Sequence, residues 1–137
     1  MHGGDVLITV DVGTSGARAS AFDTSGAALP EVRRSYPTYL PAEGWAEQDA
    51  RRWQSAALSA LAGLVRALGP RCQVRAVAVT GQCPSVVPLD RRDQPLRAGL
   101  LYRDNQAAAE AGWMRAKFGD RELHDLTGHV PSPSPTA

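Results

Sequence analysis

Hydrophobic and polar positions change period several times along the chain, and each change marks an element. Val6 to Val12 is an apolar run ending beside Asp11, and Ala17 to Phe22 is a second run that alternates small and polar residues. Gly13-Thr14-Ser15-Gly16 lies between them, so the pair predicts a β-hairpin. Asp23-Thr24-Ser25-Gly26 supplies a further turn into Ala27 to Arg34, which extends the hairpin to an antiparallel meander. Between Ser35 and Gln48 the prolines and Gly44 interrupt any period, which predicts a long surface connection containing Gly44 to Asp49.

From Asp49 the spacing becomes helical. Trp53, Ala57, Ala60, Leu61, Leu64 and Leu68 recur on one face, Asp49 is placed to cap the first turn, and Gly69-Pro70 closes the segment. Val74 to Thr80 is nearly continuous in apolar residues, the pattern of a strand covered on both faces. A helix between this strand and the meander implies a crossover and a mixed sheet, with Gly81 to Pro84 just past the strand end, where open α/β sheets place ligand-binding loops. Beyond it, Val86 to Leu89 is short and apolar, Asp90 to Gln94 a polar turn, and Leu100 to Tyr102 a short strand. A helix to about Phe118 and another over Asp120 to Leu126 follow, the second stopping at Thr127-Gly128. Residues 131–137, Pro- and Ser-rich, read as an extended or disordered tail.

Composition narrows the function more than the fold. The 137 residues are 43% hydrophobic, enough for one domain with a core. Fifteen basic residues against fourteen acidic ones give a formal charge of +1, which argues against nucleic acid or an anionic membrane as the main partner. Lys117 is the single lysine, so the Gly-Lys-Ser/Thr of a Walker-type P-loop is absent. Cys72 and Cys83 have no metal-ligand spacing and suggest no disulfide framework. The N-terminus lacks the pattern of a signal peptide, and Ala56 to Val65 is too short to span a bilayer. A soluble cytoplasmic protein is the expectation.

The candidate chemistry sits at the tip of the first hairpin. Glycines on either side of Thr14 and Ser15 allow backbone conformations that side chains forbid, so successive N–H groups can converge on an anion. Asp11 offers a carboxylate for Mg²⁺, and the hydroxyls of Thr14 and Ser15 are additional donors. An ordinary polar hairpin turn accounts equally well for this segment taken alone.

Four blocks in order carry a resemblance. They are Asp11 to Ser15 with Arg18 beyond; Gly44 to Asp49 (GWAEQD) followed by Trp53; Val79 to Gln82 leading to Leu89-Asp90; and Pro95 to Gln106 (PLRAGLLYRDNQ). Together they make nearly the whole chain resemble the N-terminal part of the FGGY family of carbohydrate kinases, with xylulokinases, gluconokinases and glycerol kinases among its members. The resemblance implies an α/β, RNase H-like fold of the actin, sugar-kinase and Hsp70 ATPase type. Residues 1–130 would form an incomplete N-terminal domain with a mixed sheet. It implies transfer of the γ-phosphoryl group of ATP to a sugar hydroxyl, with ATP and Mg²⁺ as cofactors and a sugar or polyol as partner. Asp11 would hold Mg²⁺; Gly13, Thr14 and Ser15 would face the phosphates, with Arg18 near the loop. Gln82 and Cys83 would border the sugar, Tyr102 would stand where many members place tryptophan, and Asp104 would be a polar sugar contact.

Plainer readings stand beside these. Tyr102 also suits a half-buried core aromatic, Asp104 a helix cap, Trp45 and Glu47 a braced loop, Trp53 the core, and Cys83 a small apolar filler. Two departures bear on the substrate. Cys83-Pro84 replaces the Met-His of many xylulokinases and the Arg-Glu of glycerol kinases, and Gln106 replaces an arginine, so the corresponding ion pair is lost. The family's general-base aspartate and adenosine motif are expected beyond this chain, which predicts no catalytic base here and an inactive fragment. Surfaces left uncovered predict association between copies. The alternatives are a non-catalytic phosphate- or sugar-binding module and another actin-like ATPase; GWAEQD and YRDNQ favour the sugar kinases.

Overall fold

The computed structural model describes residues 4–134, with elements in the order β1 (Gly4–Val12), β2 (Gly16–Asp23), β3 (Ala28–Ser35), β4 (Glu47–Gln48), α1 (Ala50–Leu68), β5 (Cys72–Gly81), β6 (Gly99–Leu100), α2 (Ala108–Phe118) and α3 (Asp120–Thr127). They divide into two compact units. One is built from the chain up to Pro37 together with Arg51–Gln82, the other from Thr38–Ala50 together with the chain from Cys83 on.

In the first unit a four-stranded sheet runs in the order β3-β2-β1-β5. The first three strands form the expected antiparallel meander, and β5 joins β1 in parallel, making the sheet mixed. Alternation in β1 turns Val6, Ile8 and Val10 to one face, where Ile8 and Val10 meet Ala19 and Ala21 of β2 and Ala60 and Leu64 of α1. Alanines at Ala19 and Ala21 keep the sheet surface low, so the helix settles close and Leu64 is fully buried. Burying Ile8 and Leu64 contributes about 1.5 to 3 kcal/mol each. A second cluster, Ala17, Tyr36 and Ala56 with Trp53 against it, secures the start of the helix and bears out Trp53 as a packing residue.

Two expectations need correction. The Val74 to Thr80 run reads as a strand covered on both faces, yet β5 is an edge strand whose Val79 is 72% exposed. The reason is that the helix-side cluster is drawn from β1, β2 and α1, with Leu29 and Val32 of β3 packed against it, and includes no β5 residue. The connection from Ser35 to Gln48 is likewise no simple surface loop. Tyr36, Ala46 and Gln48 are buried, and β4 pairs with β6 in the second unit. A two-residue ladder is too short to leave a period in the sequence.

Around β4 and β6 the second unit adds single bridges, Tyr39 to Glu47, Val86 to Leu100 and Leu89 to Pro95. The polar turn holds as expected, with the Asp90 carboxylate accepting from the amides of Arg92 and Gln94. Leu101, in the segment read as a strand, is fully buried. The helix α3 ends on Gly128, whose positive φ of 78° suits the residue that terminates a helix. Of the Pro/Ser-rich segment, residues 135–137 lie outside the described part. No helix among the described residues is long and apolar enough to cross a membrane.

Candidate functional site

At the carboxyl end of β1, Asp11 pairs across the ladder with Arg18, and the turn between them closes through the Gly13 amide donating to the Gly16 carbonyl at 3.0 Å. Arg18 Nη2 reaches the Asp11 carboxylate at 3.4 Å, a single loose contact with both side chains partly exposed. A recess of about 450 Å³ opens here, lined by Asp11, Gly13, Ser15 and Arg18 from the hairpin and by Arg33 and Ser35 from β3. Gln82 joins this end of the sheet, its amide donating to the Val12 carbonyl at 2.9 Å just past β5. The first unit thus gathers Asp11, Gly13, Ser15, Arg18 and Gln82 at one end of its sheet, with Thr14 in the same turn.

The glycines work differently from the sequence expectation. Neither Gly13 nor Gly16 has a positive φ. What excludes a side chain at Gly16 is proximity, since a Cβ there would lie 2.5 Å from the Arg34 carbonyl oxygen and 2.9 Å from the Ser35 Cα. Gly16 therefore lets β3 press against the turn.

Tyr36 is the residue that sequence reasoning missed. Its hydroxyl donates to the Gly13 carbonyl and its amide reaches the Ser15 carbonyl, so it ties both sides of the Thr14-Ser15 tip to the end of β3. Burial, with the Asp11 charge adding to it, pushes the Tyr36 phenol up to about 12. The available signal was an isolated aromatic between two polar stretches directly after the β3 run.

The other predicted residues belong to the second unit. Tyr102 is 44% exposed, half-buried as expected, and lies outside both core clusters. Asp104 is almost fully buried and its oxygens are engaged internally, accepting from the Ala46 amide at 2.7 Å, the Gln106 amide at 2.9 Å and Gln106 Nε2 at 3.0 Å. Burial opposes its ionisation, but these hydrogen bonds and the nearby Arg97 charge prevail and hold its carboxyl below the usual range. Asp104 joins the β4 segment to the loop before α2, and α2 itself begins at Ala108 without a side-chain cap. Glu47 accepts from Arg97 at 2.6 Å and from Gln106 at 2.7 Å. Gln106 makes no ion pair, yet its amide bridges two carboxylates while Arg97 supplies the cation. Cys83 is exposed, which does not suit a buried filler.

The description "FGGY family of carbohydrate kinases, N-terminal domain" matches residues 6–137. The chain belongs to this family. Its similarities to individual kinases divide between substrates. It is 26% identical to the glycerol kinase of Alcanivorax borkumensis over 129 residues, covering 93% of this chain and 26% of that protein. To the xylulose kinase of Bacillus subtilis it is 30% identical over 122 residues, covering 88% and 24%. The solved xylulose kinase of Rhodospirillum rubrum superimposes with a TM-score of 0.83 at 28% identity, over 87% of this chain and 25% of that one. The RNase H-like fold of the actin and sugar-kinase type, in an incomplete N-terminal domain, is therefore the fold of this FGGY chain. It spans about a quarter of the length of the relatives it matches.

The site residues suit Mg²⁺ in one particular manner. Among the described residues no group of three or more His, Cys, Asp or Glu could cage a metal. Asp11 presents a lone, partly exposed carboxylate beside a turn rich in donors. That is a donor set for an ion that keeps waters and shares phosphate oxygens.

Proposed function

We propose that this chain is the phosphate-holding N-terminal part of an ATP-dependent carbohydrate kinase, which transfers the γ-phosphoryl group to a hydroxyl of a sugar or polyol. The supporting observation is the convergence of Asp11, Ser15 and Arg18 on one recess at the end of β1. In this reading Gly13 faces the phosphates while Thr14, Ser15 and Arg18 donate to their oxygens, Asp11 holds Mg²⁺ directly or through water, and Gln82 borders the acceptor. Mg²⁺ would supply charge neutralisation on the phosphates. Cys83, Tyr102 and Asp104 enter as acceptor-side residues, Asp104 by fixing its loop, since its oxygens are already engaged.

Residues 1–130 are taken as part of one kinase domain and 131–137 as its tail, in an enzyme placed in the cytoplasm, where ATP is available and Cys72 and Cys83 stay outside any disulfide. No residue of the chain is assigned as general base. Phosphoryl transfer depends on nucleotide and acceptor held in one frame, so the 137-residue chain alone is expected to show no sugar kinase turnover.

Titration of ATP into the chain, with and without Mg²⁺, tests the assignment. Mg²⁺ should strengthen ATP binding, and Asp11→Ala should remove the strengthening while sparing metal-free binding. Equal affinities with and without Mg²⁺ in the wild type would refute the role given to Asp11.

A further inference from the structure

Arg33 of β3 stands directly across the ladder from Arg18 of β2, which itself stands across from Asp11 of β1. The three form a cross-strand row on the sheet face opposite α1, because Ala17 and Ala19, flanking Arg18, are buried toward the helix. Like charges directly opposite each other disfavour strand pairing. One is partly offset, since Arg33 Nε donates to Glu31 at 2.8 Å, and that hydrogen bond is the main cause holding the Glu31 carboxyl below its ordinary range. Glu31 engages one edge of the guanidinium, and Asp11 touches Arg18 by a single 3.4 Å contact. Both arginines therefore keep donors available, and both line the same recess as the Gly13 to Ser15 turn. A guanidinium fork matches phosphate oxygens in pairs, and two forks facing one cavity match a chain of phosphates better than a single anion.

We propose that Arg33 is a second phosphate-gripping arginine, which acts with Arg18 on the terminal phosphates of the nucleotide. This rests on the phosphate-loop reading above and extends the binding site onto β3.

Inorganic tripolyphosphate, titrated without Mg²⁺ at low salt, isolates the phosphate contacts from nucleoside and metal. The variants are Arg33→Gln, Arg18→Gln and, as a charge-matched control, Arg71→Gln beside the opposite end of β1. The Arg33 side chain is 67% exposed, so its replacement should leave the fold intact. The expected result is a loss of about tenfold in affinity for Arg33→Gln and for Arg18→Gln, with Arg71→Gln unchanged. Wild-type affinity in Arg33→Gln beside a loss in Arg18→Gln would overturn the proposal and leave the phosphate-loop reading standing. Equal losses in Arg33→Gln and Arg71→Gln would overturn it as well, reducing the effect to net charge. No binding by the wild type would remove the phosphate-loop reading, and this proposal with it.

Discussion

At the scale of single residues, the Gly13 to Ser15 turn depends on a side chain that is not in it. Tyr36 reaches Gly13 with its hydroxyl and Ser15 with its amide, and its ring is buried against Ala17 and Ala56. Tyr36→Phe keeps the ring and removes one hydrogen bond, so the expected cost is about 1 kcal/mol of stability. Phosphate affinity should fall with it, because the carbonyl that was held would be free to move the adjacent amides. The same hydroxyl gives a pH signature. A phenol near 10 when unfolded and about 12 when folded keeps its proton more firmly in the native state. Its stabilisation is complete below pH 10 and declines as pH rises toward 12. Subtracting the absorbance titration of Tyr36→Phe from that of the wild type should isolate one phenol with a midpoint near 12; a midpoint near 10 would remove the burial argument.

Among the elements, the hairpin and helix were legible and the short ladders were not. β1, β2 and α1 carry complete periods in their own residues, so their existence and nearly their ends follow from the spacing of Ile8, Val10, Ala60 and Leu64. Burial of β5 depends on what lies beside it, and an apolar run is the same whether neighbours cover it or not. The β4 and β6 pairing is two residues long and joins segments some fifty positions apart, leaving no local signal. Asp104 shows the same limit at the site, since only its partners Ala46 and Gln106 reveal that its oxygens are engaged. The close contact of β2 and β3 at Gly16 allows a direct test. Gly16→Ala would place a methyl 2.5 Å from the Arg34 carbonyl, and both neighbours are backbone, so the strands must part. Overpacking of this kind costs about 1 to 3 kcal/mol. A lower urea midpoint with an unchanged slope is expected, and a midpoint equal to the wild type would show that β3 yields without cost.

For the whole molecule, the decisive surface is the outer edge of β5. This ten-residue strand contains no proline and one charged residue, Arg75, which is paired to Asp5 at 2.9 Å. The usual protections of an edge strand, charge and proline, are therefore nearly absent. On the α1 side Val77 and Val79 are exposed, and α1 itself exposes Leu58 and Val65. The relatives this chain matches extend about four times as far, and among the described residues Val77 and Val79 stay exposed. We expect the purified chain to associate through this edge, with sedimentation showing species above 14.6 kDa that grow with concentration. Val79→Lys should shift the population toward monomer, because a charge set on the helix side of the edge must be desolvated when another strand pairs there. Val79 is 72% exposed and outside the core cluster, so the replacement should cost little stability. A wild type that stays a monodisperse monomer and unfolds in one sharp transition would show instead that the edge is tolerated in water, and β5 would then be stabilised by its pairing with β1 alone.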